Sequence, residues 1–395
     1  MYSQSLFLLI ALAAGPEFDV QPLEGPRVSG RLAVLDAQHV TVDVPSGPVT
    51  MATEKVASIT AKGQAAAAAS PRVWIQLTDG SLLAADQYTA HGPAAKIALA
   101  GGESLDLPTH EVATVRFQEG SEPVVSEWSR IAGLKLQSDV LVTAAGDNVD
   151  YHKGTIQEAT EGLIKFDFDG DPLAVKRTKV YGLIYYHATD GETAEAPFAV
   201  VDTAGSRWSA KTFQLDGKLQ WTSPTGRVMR RDLEQIAAID LSRGKIVYLS
   251  DLKAEATRYT PFFGLEKELP SRLEFFRPRL EQTFESKPLR IAGTAFAKGL
   301  ALHSRTEMTY SLGGRFSRLE AVAGIDDAVR PRGHVRLVVR GDDKVLLETA
   351  IAGSDAPLPI GLGVSGVRRL VILVDFGDDL DVSDHLDLGN ARLIR

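Results

Sequence analysis

The sequence predicts an all-β protein: tandem small β-barrel-like repeats followed by a β-sandwich. Three observations carry the prediction. Over residues 24–245, short alternating apolar stretches are separated by turns rich in Gly, Pro and Asp, and helical periodicity is scarce. Within that stretch an apolar pair, its members three residues apart, recurs four times. From Ile246 onward the recurrence stops, and seven or eight strands follow with turns every eight to twelve residues, the spacing of an antiparallel sandwich.

Bulk properties agree with this class. The chain has 395 residues, enough for two to four domains, with 44% hydrophobic and 24% charged residues. Its net charge of −8, without a run of Lys or Arg, argues against nucleic acid, because phosphate neutralisation needs clustered cations. Cysteine is absent, which removes disulfides, thiolate metal sites and thiol chemistry together. At the N-terminus, Leu6 to Leu12 is apolar and Ala11-Leu12-Ala13 offers a small-residue cleavage site, so residues 1–16 read as a signal peptide and the protein as exported, periplasmic or extracellular. No Lys or Arg precedes the apolar run, and a frayed apolar terminus is the competing reading. No later stretch reaches the roughly 20 apolar residues that span a bilayer.

The repeats are legible in their hairpins. "RVWIQLTDGSLLAADQY" places Asp79-Gly80 between two strands, and Gly101-Gly102, Gly170 and Pro224 to Gly226 do the same further on. Each hairpin region is followed by one of the apolar pairs: Val56/Ile59, Val112/Val115, Val180/Leu183 and Ile236/Ile239. Successive pairs lie 56, 68 and 56 residues apart. A unit of about five short strands closing on itself removes exposed edges, and one turn of 3₁₀ helix before the last strand would turn the pair into the core. The units resemble the small barrels of Sm-like and SH3-like proteins in pattern. Two repeats are expected over 24–118 and two over 130–245, with 62–71, 118–130 and 187–197 as linkers. This half is expected to be scaffold.

Residues 246–395 read differently. "TPFFGLEKELPSRLEFFRPRLEQTF" (260–284) is aromatic, Pro-broken and irregular, as long loops packed by their own side chains would be. Strands then resume with "PLRIAG", "KGLALHS", "EMTYSLGG" and "SRLEAVAGIDD", a hairpin at Gly341-Asp342-Asp343, and "RRLVILVDFG", whose continuous apolar run suits a central strand. The ordered motifs "YLSDL", "TPFFG", "PLRIAGTAFAKGLALHSRTEMTYSLGGRFSRLEAVAGIDD", "GHVRLVVRGDDKVL" and "DVSDHLDLGNARL" resemble the NPCBM family over about 246–395. The resemblance implies a galactose-binding-like jelly-roll sandwich that binds carbohydrate, a polysaccharide or glycoconjugate, and that accompanies glycoside hydrolases. No hydrolase catalytic domain is recognisable in the preceding two-thirds.

The resemblance also marks His303 and the pair Asp384-His385 as characteristic positions. Asp326 and Asp327 close a strand nearby. These five, His303, Asp326, Asp327, Asp384 and His385, are the candidate carbohydrate ligands, since Asp and His hydrogen-bond vicinal hydroxyls while an aromatic ring stacks on a sugar face. The family often has "DHADW" where this chain has "DHLDL", so Leu388 stands in place of an aromatic. Either it is a core swap, or another ring such as Phe262, Phe263 or Phe376 does the stacking. Asp384 and His385 could equally pin the loop to backbone.

Asp375, Asp378, Asp379, Asp381, Asp384 and Asp387 crowd the same stretch. Asp378, Asp379 and Asp381 are candidate calcium ligands, without the turn Gly and closing Glu of an EF-hand, and a solvated acidic loop is the alternative. Two further functions are carried forward: an envelope protein that contacts other proteins and binds no sugar, and a glycosidase using Asp326 and Asp384.

Overall fold

The recurring apolar pair is the key to the first half of the computed structural model, which describes residues 15–63, 73–168, 170–188, 196–262, 275–378 and 380–395. The chain forms two compact units divided at Arg243/Gly244. In the first, a 3₁₀ turn precedes the last strand of every repeat: Thr53–Lys55, Thr109–Glu111, Arg177–Lys179 and Leu233–Gln235. All eight residues of the four apolar pairs are 0% exposed. Each such side chain contributes roughly 1.5–3 kcal/mol by leaving water, so the motif that defines the repeat also stabilises it.

The first repeat is built from β1 (Glu17–Pro22), β2 (Val28–Leu35), β3 (His39–Val44), β4 (Gly47–Ala52) and β5 (Val56–Ala61). The second has β6 (Val73–Leu77), β7 (Leu82–His91), β8 (Ala94–Leu99), β9 (Ser104–Pro108) and β10 (Val112–Arg116). The third has β11 (Asp139–Ala145), β12 (Asn148–Ala159), β13 (Leu163–Phe168), β14 (Asp171–Lys176) and β15 (Val180–Ile184). The fourth splits its second strand, giving β16 (Phe198–Asp202), β17 (Arg207–Ala210), β18 (Thr212–Asp216), β19 (Lys218–Thr222), β20 (Val228–Arg231) and β21 (Ile236–Asp240). The last strand of each returns to pair with its first: β5 with β1, β10 with β6, β15 with β11 and β21 with β16.

The repeats then join through the same closing strands, and in nested order. β5 pairs with β21 so that Ile59 faces Ile239, and β10 pairs with β15 so that Val115 faces Leu183. Repeat 1 therefore adds to repeat 4, and repeat 2 to repeat 3. Repeats 2 and 4 meet through two matching turns. Ser81 Oγ accepts the Ser209 N–H at 2.9 Å, and Ser206 Oγ accepts the Ala84 N–H at 3.1 Å.

The linker expected at 118–130 is instead largely helix. α1 (Glu122–Ala132) starts after Ser121, carries Pro in its first turn and buries Val124, Trp128 and Ile131. That spacing is one apolar stripe, masked in sequence by the charged residues between its members. Trp128 packs edge-on to Tyr181 at 5.5 Å. A Cβ at Gly182 would lie 2.5 Å from the Trp128 ring, so the contact requires glycine there. Among the described residues, no helix is long and apolar enough to cross a membrane.

The second unit is a sandwich. Its strands are β22 (Ile246–Tyr248), β23 (Ala256–Tyr259), β24 (Arg279–Leu280), β25 (Leu289–Ile291), β26 (Thr294–Phe296), β27 (Gly299–His303), β28 (Thr306–Ser311), β29 (Arg318–Ile325), β30 (His334–Gly341), β31 (Lys344–Ala352), β32 (Leu358–Gly363), β33 (Arg369–Phe376) and β34 (His385–Ile394). One sheet runs β24-β27-β34-β29-β32 with β22 on β34, and the other runs β23-β28-β33-β30-β31. The apolar run of "RRLVILVDFG" is the central strand β33. Leu300, Leu302, Leu386, Leu388 and Leu393 from the first sheet share a core with Met308, Tyr310, Leu337, Ile372 and Val374 from the second. Leu388 is 2% exposed, which makes it a core residue rather than a missing platform.

Candidate functional site

Antiparallel pairing of β27 with β34 places His303 opposite His385 at one end of the sandwich. Their rings are 5.4 Å apart, and Phe276 and Phe284 pack over them. Phe276 lies 3.9 Å from His303, and Phe284 lies 4.7 Å from His385. Tyr259 meets His303 edge-on at 6.1 Å. Phe275 stacks on Phe284 and is 46% exposed, so the cluster runs from the core to solvent.

The five candidate residues gather at this end, but their roles separate by burial. His303 is 1% exposed, and its Nδ1–H donates to the Ser304 carbonyl at 2.6 Å. Burial pulls its pKa down to about 4 against the opposing pull of the Ser304 carbonyl, so the ring is neutral near pH 7. Asp384 is fully buried; its carboxylate accepts the Ser304 hydroxyl at 2.5 Å and the His334 N–H at 3.1 Å. Asp326 is buried and accepts the Ala328 N–H, and burial raises its pKa. Both oxygens of Asp327 are held at 2.7 Å by the N–H groups of Ala292 and Gly293, the positive-φ turn between β25 and β26. His385 differs from the other four. It is half-buried, its pKa is lowered by burial, and its ring makes no hydrogen bond among the described residues.

Asp387, in the same strand, is 0% exposed. Its Oδ2 accepts the Arg290 N–H at 3.3 Å and its Oδ1 has no hydrogen-bond partner among the described residues. Burial, then the nearby Asp326 charge, push its pKa up to about 8, so it is protonated at neutral pH.

The rim carries residues that sequence reasoning did not single out. Glu285 and Lys287 form an exposed ion pair at 2.7 Å, and Glu285 acts electrostatically on His385. Phe275, Phe276 and Phe284 supply the rings. The signal was present as "LEFFRPRLEQTFESK", where aromatics alternate with charges, but it reads as loop packing until β27 and β34 bring the histidines beneath it. Of the rings proposed as stacking platforms, Phe262 and Phe376 pack edge-on to each other at 5.0 Å, and Phe263 lies outside the described residues.

The acidic loop does not assemble a ligand set from its described members. The Asp378 side chain is 98% exposed and sits 3.9 Å from His334 Nδ1; Asp379 lies outside the described residues; Asp381 is half-buried. Among the described residues, no group of three or more His, Asp or Glu converges as metal ligands do.

The fold and this polar, ring-covered end define a β-sandwich module attached to a unit of barrel-like repeats. Residues 245–394 match the NPCBM/NEW2 domain family, so the C-terminal unit is an NPCBM/NEW2 domain. A protein of Renibacterium salmoninarum named "Putative endo-alpha-N-acetylgalactosaminidase" is 26% identical over 111 residues, 28% of this chain; the match spans 7% of that protein's length. Among solved structures, CBM51 from Clostridium perfringens GH95, in complex with methyl-galactose, is 19% identical, covering 38% of this chain and 99% of that one with a TM-score of 0.33. The tandem CBM51 modules of the family 98 glycoside hydrolase from Streptococcus pneumoniae are 12% identical, covering 82% and 88%, with a TM-score of 0.32.

Proposed function

We propose that the sandwich binds carbohydrate non-catalytically at the ring-covered end, and that the repeats serve as its scaffold outside the cytoplasm. The observation that carries this reading is the half-buried imidazole of His385, free of protein hydrogen bonds among the described residues and set against Phe276 and Phe284, with the exposed Phe275 stacked on Phe284. A neutral imidazole offers one donor and one acceptor to adjacent hydroxyls, and Phe275 offers a face for sugar C–H groups. His303, Asp326, Asp327 and Asp384 hold this arrangement from beneath. The glycosidase alternative is poorly served by Asp384, whose carboxylate is sealed and doubly hydrogen-bonded, because an acid or nucleophile must reach substrate.

The test is affinity electrophoresis of the intact chain through gels of neutral polysaccharides, preceded by a glycan array to choose them. His385→Ala and Phe275→Ala should each weaken retardation about tenfold, the loss of one good polar or stacking contact, with an unchanged melting temperature. Loss of affinity and melting temperature together in both variants would assign these residues to structure. A folded wild-type chain retarded by no polysaccharide would leave the envelope protein-contact reading in possession.

A further inference from the structure

A second feature of the sandwich lies on the outer face of the sheet containing β29, β32 and β34. Outward-facing Arg318, Glu320 and Val322 of β29 stand opposite Gly363, Gly361 and Pro359 of β32. Small residues on one strand and long ones on the next leave a groove of about 540 Å³. On the other side, the pairing of β29 with β34 slips by one residue, and Asn390, at φ 50°, is pushed outward to line the groove. A bulge of this kind re-aims a side chain.

Two guanidinium groups converge here on one carboxylate. Arg318 Nε donates to Glu320 Oε1 at 3.1 Å; Arg392 Nε and Nη2 donate to Oε2 at 3.2 and 2.8 Å. Glu320 thereby accepts three hydrogen bonds, whereas both terminal nitrogens of Arg318 and Nη1 of Arg392 take no acceptor among the described residues. The groove holds a surplus positive charge on a chain whose net charge is −8. Arg318 is set against bare backbone: a Cβ at Gly361 would fall 2.6 Å from its Nη2. Glu320 fixes both forks in advance, which lowers the conformational cost of taking a second carboxylate.

We propose that this groove is a second saccharide site, specific for a uronic acid unit of an acidic polysaccharide. The sugar carboxylate takes the unused N–H groups of Arg318 and Arg392, its hydroxyls reach the Asn390 carboxamide, and its C–H face lies on Val322 and Pro359. His385 and Arg392 are seven positions apart along β34, on the order of 20 Å of strand, so this site is distinct from the ring-covered end.

The intact chain is run through gels containing polygalacturonate, fully methyl-esterified polygalacturonate, or poly-L-glutamate. Retardation is expected with the first alone. Arg318→Gln and Arg392→Gln should each weaken it about tenfold, as loss of a charge-assisted fork does, with Arg318→Lys intermediate. His385→Ala should leave it unchanged, which separates this site from the one proposed above. Melting temperatures identify any variant that fails to fold; for such a position the lysine variant is the one compared. No retardation on polygalacturonate, equal retardation on the esterified polymer or on polyglutamate, or wild-type retardation of folded Arg318→Gln would each overturn the assignment.

Discussion

The two units bury acids in opposite ways. In the repeats, Asp79 and Asp202 are buried at turns, and each accepts a backbone N–H of its own turn: Asp79 from Ser81, and Asp202 from Ser206, with the Trp208 indole N–H on its other oxygen. In the sandwich, Asp326, Asp384 and Asp387 are buried in or beside adjacent strands near two histidines, and Asp387 keeps one oxygen unpartnered among the described residues. The first arrangement fixes chain reversal. The second concentrates titratable groups where the fold gains little from them, as is usual where a surface has a task beyond stability. The repeats should then respond to packing, and the sandwich to protons.

The largest expected effect tests the packing half. Trp128 is the buried ring that ties α1 to the third repeat over Gly182. Trp128→Ala should cost about 3–5 kcal/mol, the range for removing a large aromatic from a core. Hydrogen exchange should show lost protection in β10, β11 and β15, with β27 and β34 unaffected. Equal loss in both units would break the contrast, because the repeats would then not be stabilised by their own core.

The second effect tests the proton half. His303 titrates near 4 in the folded state against about 6.5 unfolded, so its contribution is present above pH 6.5 and is lost as pH falls toward 4. Asp387 titrates near 8 folded against about 3.9 unfolded, so its contribution is present below pH 4 and is lost as pH rises through 8. Between 4 and 6.5 the two slopes oppose each other. Above 6.5 the His303 slope has ended, and Asp387 should lower stability by about 2 kcal/mol by pH 8, at about 1.36 kcal/mol per pH unit for one proton. His385 and Asp326 shift in the same respective directions and leave the signs intact. Asp387→Asn should abolish the fall above 6.5 and uncover a rise between 4 and 6.5. Denaturant titrations at five pH values measure it, and a variant that keeps the wild-type profile would reassign the effect.

Much of the fold was legible because it repeats. The pairs Val56/Ile59, Val112/Val115, Val180/Leu183 and Ile236/Ile239 announce themselves by recurrence, and Asp79-Gly80 announces its hairpin by turn chemistry. The nested joining of repeat 1 to 4 and 2 to 3 was not legible, since any closing strand presents the same edge to any other and spacing does not choose among them. Helix α1 was missed because its buried stripe is only Val124, Trp128 and Ile131, three residues in eleven, which carries little periodic signal. At the candidate site, the motif positions located His303, Asp384 and His385, but a sequence shows residue types and not their depth. Register puts His303 and His385 side by side on one face of the sheet, and the cover above them sets the depth: Tyr259, Phe276 and Phe284 pack around His303, which is buried, while His385 stays half-buried.

The smallest effect sharpens the contrast from the repeat side. Ser81 and Ser206 occupy matching turns of repeats 2 and 4, and each hydroxyl accepts an N–H from the other repeat, from Ser209 and Ala84 respectively. Replacing either serine by alanine leaves one buried N–H without its acceptor, at about 1 kcal/mol. If the two bonds form a single contact, breaking the first lets the turns separate, and the double variant should cost less than the sum, by about 0.5 kcal/mol or more. No group in this contact titrates between pH 4 and 8, so the loss should be the same at both ends of the range in which the sandwich changes. Full additivity would make the turns independent anchors, and a loss that changed with pH would break the contrast with the sandwich.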